Sequence, residues 1–372
     1  MNTIIETVTG DLKRDAAVYE KAGEILRSGG LVAFPTETVY GLGGNGFDAG
    51  ASQKIYAAKG RPSDNPLILH IADREMLDDI TDEVSDKAEK LIEKFWPGPL
   101  TMIFNKRDKV PYETTGGLDT VAVRMPSLPA ARYMIRAAKT AIAAPSANVS
   151  GRPSPTLAKH VSEDLDGRIE MIIDGGSVGI GLESTIIDMT CEPPVILRPG
   201  YITKEMFEEV IGRVEVDPAI TSKPAVNLRP KAPGMKYRHY APRAELTLVE
   251  GDTAKAVEKI SGLAKERLKD GKKVGIIVTE ETGPVYRRLL SDCGMQGAEG
   301  KCVFFMLGSR SDEESIARNL YAVLRDCDEE GVDYIFSETF SSNNLGEAIM
   351  NRLRKAAGYN IMSASESTCL HD

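Results

Sequence analysis

No stretch of this chain approaches the roughly 18 consecutive apolar residues of a membrane-spanning helix. Its opening, MNTIIETVTGDLKRD, lacks a basic start followed by an apolar segment, so the protein is expected to stay in the cytoplasm, with no membrane partner. Cysteine is sparse. Cys191, Cys293, Cys302, Cys327 and Cys369 make five, an odd and widely spaced set without a CxxC pair, which reads as reduced thiols and not as a disulfide framework or zinc clip. No HExxH and no spaced His/Cys set occurs, which argues against structural zinc or a zinc hydrolase. The absence of G-x-x-x-x-G-K-[ST] excludes a P-loop. Positive charge is also short: 46 Lys and Arg against 55 Asp and Glu give a formal net charge of -9. Gripping a long nucleic-acid backbone needs clustered cations, so that task is disfavoured, although a small cationic pocket is unaffected by the total.

What the chain does have is size and an ordinary apolar content. At 372 residues it exceeds the length at which one core stops growing, so two domains are expected. With 42% hydrophobic and 27% charged residues it can bury proper cores. Short apolar runs alternate with amphipathic stretches, the pattern of an α/β architecture. Helical spacing over residues 15–27 stops at Ser28-Gly29-Gly30. Strands are then expected at 31–35, 67–71, 100–105, 121–125, 142–144, 171–173, 185–189 and 195–197. Helices are interleaved unevenly among them, so the sheet should be mixed. After Ile211 the texture changes: residues 217–242 carry five prolines and many cations without apolar periodicity, and read as a linker. Beyond it, strands at 246–249, 274–278, 303–306 and 334–336 alternate with helices at 253–268, 285–293, 311–325 and 347–357. That is a small doubly wound domain on a parallel sheet, and the tail after Tyr359 is expected to be frayed at its end.

Several segments carry candidate chemistry. Gly41, Gly43 and Gly46 spell G-x-G-x-x-G directly after a strand. A dinucleotide fold would need a helix opening there, but the segment that follows holds Pro62 and Pro66 and is too long, so the glycines read as a tight turn and the polar Thr36, Glu37 and Thr38 become the more interesting residues. Lys59 and Arg61 sit two apart at a helix end, where cations also complement the helix dipole. The segment from Ala144 to Thr156 leaves a strand as a loop rich in hydroxyls and amides; it is either turn chemistry or the polar strand-end loop where α/β proteins place ligands. Gly181 to Thr185 and Leu197 to Gly200 repeat that arrangement. Lys59, Arg61, Arg124 and Arg198, all at element ends, suit a polyanion such as a nucleotide triphosphate. His70, taken as a lone histidine, reads as structural more often than as functional.

Taken in order, PTETVYGLG, KGRPSDNPL, PGPLT, VAVRMP, APSANVSG with SPT, and LRPG resemble the threonylcarbamoyl-AMP synthase family over residues 10–212, and PGMKYRHYAP resembles the linker signature of its two-domain members. The resemblance implies a YrdC-like catalytic domain at 1–212, a twisted mixed sheet with a concave cavity, a linker and lid at 213–242, and a smaller Rossmann-like domain at 243–372. It implies an L-threonylcarbamoyladenylate synthase, a nucleotidyltransferase that takes ATP, L-threonine and bicarbonate, releases pyrophosphate, and carries Mg2+ with the ATP. The product would pass to the machinery that modifies tRNA next to the anticodon, with direct tRNA contact left open. By similarity, Lys59, Arg61, Asn65, Thr120, Ser146, Asn148, Ser154 and Arg198 would hold the nucleotide, with Lys59, Arg61, Ser146 and Asn148 at the chemistry. Threonine would meet Thr38, His70, Arg124, the backbone of Ala144, and Ser184. Tyr237 would close over the cavity and touch the nucleotide, helped by His239 and Tyr240. Ala232 stands where a serine is common in the family. Two other readings compete: a double-stranded RNA or tRNA-binding module, against which the acidic total charge weighs, and a carbamoyl-transfer domain of the hydrogenase-maturation type, whose zinc fingers these cysteines cannot make.

Overall fold

The computed structural model describes residues 2–220, 232–233, 240–291, 301–341 and 343–365. The chain divides into two compact units, Met1–Tyr237 and Arg238–Asp372.

The strands described in the first unit are β1 (Ile4–Thr7), β2 (Val32–Phe34), β3 (Gly41–Asn45), β4 (Ile68–His70), β5 (Leu100–Asn105), β6 (Thr120–Arg124), β7 (Ile142–Ala143), β8 (Met171–Asp174), β9 (Thr185–Asp188), β10 (Val195–Arg198) and β11 (Glu215–Val216). They form one mixed sheet in the order β1-β8-β2-β3-β7-β4-β6-β5-β9-β10-β11. The helices are α1 (Leu12–Arg27), α2 (Ala49–Lys59), α3 (Asp86–Phe95), α4 (Tyr112–Thr115), α5 (Pro129–Ala138), α6 (Ala158–Leu165) and α7 (Lys204–Ile211). Helix α1 begins where Asp11 accepts from the amides of Lys13 and Arg14, a side-chain cap on orphan donors. It packs on α5 so closely that a Cβ on Gly23 would lie 2.6 Å from the carbonyl carbon of Ala137. Tyr19, Ala22 and Leu26 of α1 and Met134 and Ile135 of α5 thereby cover Val32, Phe34, Ile142 and Ile173 of the sheet.

Two expectations need correction here. Gly41 to Asn45 is not a turn: it is strand β3, antiparallel to β2 with Val32 opposite Gly43. None of Gly41, Gly43, Gly44 and Gly46 has a positive φ. Their reason is close packing, since a Cβ on Gly43 would lie 2.8 Å from Ile142 Cγ2 and one on Gly46 2.4 Å from Leu69 Cδ2. The linker expected at 213–242 still holds sheet at its start, because Glu215 and Val216 form β11, which pairs in parallel with β10. The chain beyond Tyr359 adds a short strand to the second unit before the described residues end.

In the second unit, β12 (Glu245–Glu250), β13 (Val274–Thr279), β14 (Cys302–Gly308), β15 (Tyr334–Glu338) and β16 (Ile361–Ser363) run in the order β14-β13-β15-β12-β16, with every described pairing parallel. Helices α8 (Thr253–Lys269) and α9 (Gly283–Ser291) pack together, as do α10 (Glu313–Glu330) and α11 (Leu345–Ala356). Right-handed crossovers place the two pairs on opposite faces, so this unit is doubly wound. Val274, Ile276 and Val278 alternate toward the α8 and α9 side. Tyr240, at the head of the unit, is buried and stacks on Tyr321 at 5.1 Å.

Candidate functional site

One face of the first sheet carries a polar row. Parallel pairing of β4 with β6 sets His70 beside Arg124, and antiparallel pairing of β5 with β6 sets Thr101 opposite Arg124. Adjacent residues in register share a face, so the imidazole, the guanidinium and the hydroxyl line up across three strands. Ser184, just ahead of β9, extends the row: its hydroxyl lies 2.7 Å from Thr101 Oγ1 and accepts from Arg198 Nη2 at 3.1 Å. Arg198 Nε also donates to the Ser184 carbonyl at 3.0 Å. Arg124 Nη1 donates to Thr38 Oγ1 at 2.8 Å, which ties the row to the segment after β2.

Two residues along each strand the same face turns apolar. Ile68, Ala122, Ile103, Ile186 and Leu197 form a bed on which Ala232 sits fully buried. Ala232, a described residue of the linker, therefore lies on this face beside the polar row, within the first unit. Alanine suits that seat, since a serine hydroxyl on an apolar bed would need a partner that the bed does not offer. Tyr237 and His239, expected at the mouth of the cavity, lie outside the described residues.

The remaining candidates gather on three loops that the backbone stitches together. Ala144 donates its amide to Ile68 O at 2.8 Å, which continues the β7–β4 ladder by one residue. Leu42 donates to Pro145 O, Ala147 to Tyr40 O, Tyr40 to Pro155 O and Gly181 to Thr38 O. Helix α2 ends at Lys59 because Gly60 takes a left-handed φ of 61°, which favours glycine. Lys59 is buried, and its ammonium donates to the carbonyls of Ser146 and Asn148, while Ser150 donates its amide to Lys59 O. Lysine here fastens the loop to the helix as well as bringing charge to it. Ser146 Oγ donates to Asn148 Oδ1 at 2.6 Å, and Asn148 Nδ2 donates to Val149 O and Arg152 O. Ser154 Oγ donates to Glu183 Oε1 at 2.6 Å. Arg61 is held by the carbonyls of Asn65 and Pro66, and Thr120 heads β6, four residues from Arg124 on the same face.

The site thus combines buried cations with a buried carboxylate: Glu37 Oε1 lies 2.8 Å from Arg124 Nη2 in an ion pair. His70 is buried and held neutral, its pKa lowered to about 3, first by burial and then by the neighbouring Arg124 charge. The buried Oδ1 of Asn65 accepts no hydrogen bond. Sequence reasoning flagged Glu37 only as part of a polar triplet and assigned it no role, and it missed Thr101 and Glu183. The signals were present: Glu37 adjoins Thr38, and Thr101 closes the PGPLT segment.

Comparison with known proteins meets this geometry from outside. Residues 24–200 match the family profile described as telomere recombination, covering Sua5, YciO and YrdC proteins, and residues 202–358 match that of the threonylcarbamoyl-AMP synthase C-terminal domain. The protein named threonylcarbamoyl-AMP synthase in Pyrococcus abyssi is 50% identical, over 92% of this chain and 94% of its own. The Bacillus subtilis protein of the same name is 48% identical, over 94% of this chain and 96% of its own. The crystal structure of P. abyssi Sua5 complexed with L-threonine superposes with a TM-score of 0.85 at 47% identity, covering 97% of this chain and 98% of that one. With both halves matched and full-length relatives at such identity, the chain belongs to the threonylcarbamoyl-AMP synthase family.

Proposed function

We propose that this protein joins ATP, L-threonine and bicarbonate into threonylcarbamoyl-AMP, releasing pyrophosphate, and that the adenylate serves threonylcarbamoyladenosine formation in tRNA. The observation that carries the reading is the buried polar row of His70, Arg124, Thr101 and Ser184 lying next to the loops that present Lys59, Arg61 and Asn65. Family membership and the threonine complex of the P. abyssi relative support it.

In this reading Arg124, Thr38 and Ser184 bind the amino acid, and Lys59, Arg61 and Arg198 meet the nucleotide. The threonine amine and bicarbonate give a carbamate and water. The carbamate oxygen then attacks the α-phosphorus, and the bond to pyrophosphate breaks. Such a transfer asks for positioning and for cations where phosphate charge develops, and no protein nucleophile is required. A neutral His70 adds no further positive charge beside Arg124. Mg2+ enters on the triphosphate, a mode in which the ion keeps much of its water shell and asks little of protein carboxylates.

The test is pyrophosphate release with each substrate omitted in turn. Release that requires both threonine and bicarbonate is expected. Release without them, or none at all, would return attention to an RNA-binding role, read as steeply salt-dependent affinity for tRNA without ATP.

A further inference from the structure

No helix or strand falls between Ala143 and Ala158, so the loop that presents Ser146, Asn148 and Ser154 takes its shape from bonds to its neighbours. One peptide unit of that loop is gripped from both sides. The carbonyl of Asn148 accepts from the Lys59 ammonium, and the amide of Val149, the other half of the same planar group, donates to Asp164 Oδ2 at 3.1 Å. In a trans peptide these two groups point in opposite directions. The unit therefore lies between a cation at the end of α2 and an anion on α6, and both hydrogen bonds are charge-assisted. The Asp164 side chain is 0% exposed. Its Oδ1 accepts from Arg152 Nη1, which offsets its charge and ties down the later part of the loop.

Holding that unit fixes ψ of Asn148 and φ of Val149, and with them the direction in which the Asn148 side chain leaves the backbone. The Asn148 amide in turn accepts from Ser146 Oγ at 2.6 Å and donates to the carbonyls of Val149 and Arg152. Reversing the peptide would aim its carbonyl at the Asp164 carboxylate and its amide at the Lys59 ammonium, two repulsions in place of two attractions. We infer that Asp164 is a positioning residue for the nucleotide: enclosed by the protein, it acts through the loop and holds Ser146, Asn148 and, across the shared peptide, the Lys59 ammonium where the triphosphate is received. This deepens the synthase reading and rests on it. The threonine candidates are tied differently, Arg124 to Thr38 and Ser184 to Thr101 and Arg198, so losing Asp164 should separate the two subsites.

The experiment is binding calorimetry on the full chain with magnesium, titrating α,β-methylene-ATP, which cannot release pyrophosphate, and separately L-threonine. Both partners of the Asp164 carboxylate are donors, whereas an asparagine there offers one acceptor oxygen and an NH2 group that faces a donor. Asp164→Asn is expected to lose roughly 10- to 100-fold in nucleotide affinity, the range for a lost hydrogen bond to a charged group, with threonine affinity unchanged. In turnover the loss should fall on the KM for ATP and leave the KM for threonine in place. Arg152→Gln, which keeps a donor toward Asp164, should lose a smaller factor on the nucleotide side alone, and serves as the probe if Asp164→Asn does not fold. Wild-type nucleotide affinity in the folded variant would overturn the assignment. So would equal losses for both ligands, the mark of a merely structural role. A wild type that binds threonine but not the analogue would instead sink the nucleotide reading beneath it.

Discussion

In the first unit, Gly43 and Gly46 sit where a Cβ would press within 2.8 Å of Ile142 Cγ2 and 2.4 Å of Leu69 Cδ2, whereas Gly262, within α8 of the second unit, has nothing within 4 Å. Buried charge, by contrast, is paired in both. Glu37 meets Arg124 at 2.8 Å in the first unit, and Glu338 of β15 accepts from Arg310 in the second, whose guanidinium also lies over the Phe340 ring. Both units are α/β sheets covered by helices. They differ in where such a pair belongs: that of the first unit joins the polar row of the candidate site, while that of the second ties its own strand ends together.

The sharpest way to break that comparison is to remove one arginine from each unit. Arg310→Ala should cost about 3–5 kcal/mol in unfolding free energy, because Glu338 is left as a buried charge without its partner. Turnover at a temperature where the variant is folded should stay near wild type. Arg61→Ala should do the reverse, lowering pyrophosphate release about 10²- to 10³-fold, the usual cost of one lost transition-state donor, with a smaller change in stability. A stable Arg310→Ala, or a fully active Arg61→Ala, would dissolve the distinction.

Next in size is an acid effect confined to the first unit. The folded pKa of His70 is lowered to about 3, so between the ordinary value near 6.5 and that point the unfolded chain takes up a proton that the folded protein refuses. Stability therefore falls as pH falls, by up to about 1.4 kcal/mol per pH unit. Urea midpoints at pH 7 and pH 5 should show His70→Asn losing less than the wild type, with the difference up to about 2 kcal/mol. Equal losses would mean that the imidazole is protonated in the folded state.

The glycines give the smaller effects, of opposite sign. Gly46→Ala should destabilise by about 1–3 kcal/mol, since Leu69 and the Ala141 carbonyl must move. Gly262→Ala should stabilise by up to about 1 kcal/mol, since it meets nothing and improves a helix interior. Thermal unfolding of both variants measures the pair. A destabilising Gly262→Ala would show that α8 has a neighbour at that point.

Lys59 tempers an expectation drawn from sequence. Read as a pocket cation alone, it should be removable without harm to the fold. Its ammonium donates to the Ser146 and Asn148 carbonyls, so Lys59→Ala is expected to loosen that loop as well as remove charge.

Legibility followed the range of the interactions. Residues 100–105 read as a strand and are one, because an apolar run between turn residues reports its own burial. The alternation of strand and helix after residue 245 likewise disclosed a parallel, doubly wound unit. Strand β3 was illegible, because glycine has little strand preference and only Ile142, Val32 and Leu69 across the sheet explain it. Strand β16 is three residues long, and its pairing with β12 lies more than a hundred residues away in sequence. The motif residues of the site could be named from their order along the chain, but not Glu37, since spacing alone does not say which of three consecutive polar side chains pairs with Arg124.

By itself, then, the sequence determined the alternation of elements, the family and the residue types at the site, all of which depend on local pattern and motif order. Only the tertiary structure decided that His70, Arg124, Thr101 and Ser184 share one face, that Ala232 rests beside them, and that Glu37 pairs with Arg124. Those facts arise from strand register and from hydrogen bonds between segments far apart in the chain, where a shift of one residue would turn each side chain to the opposite face.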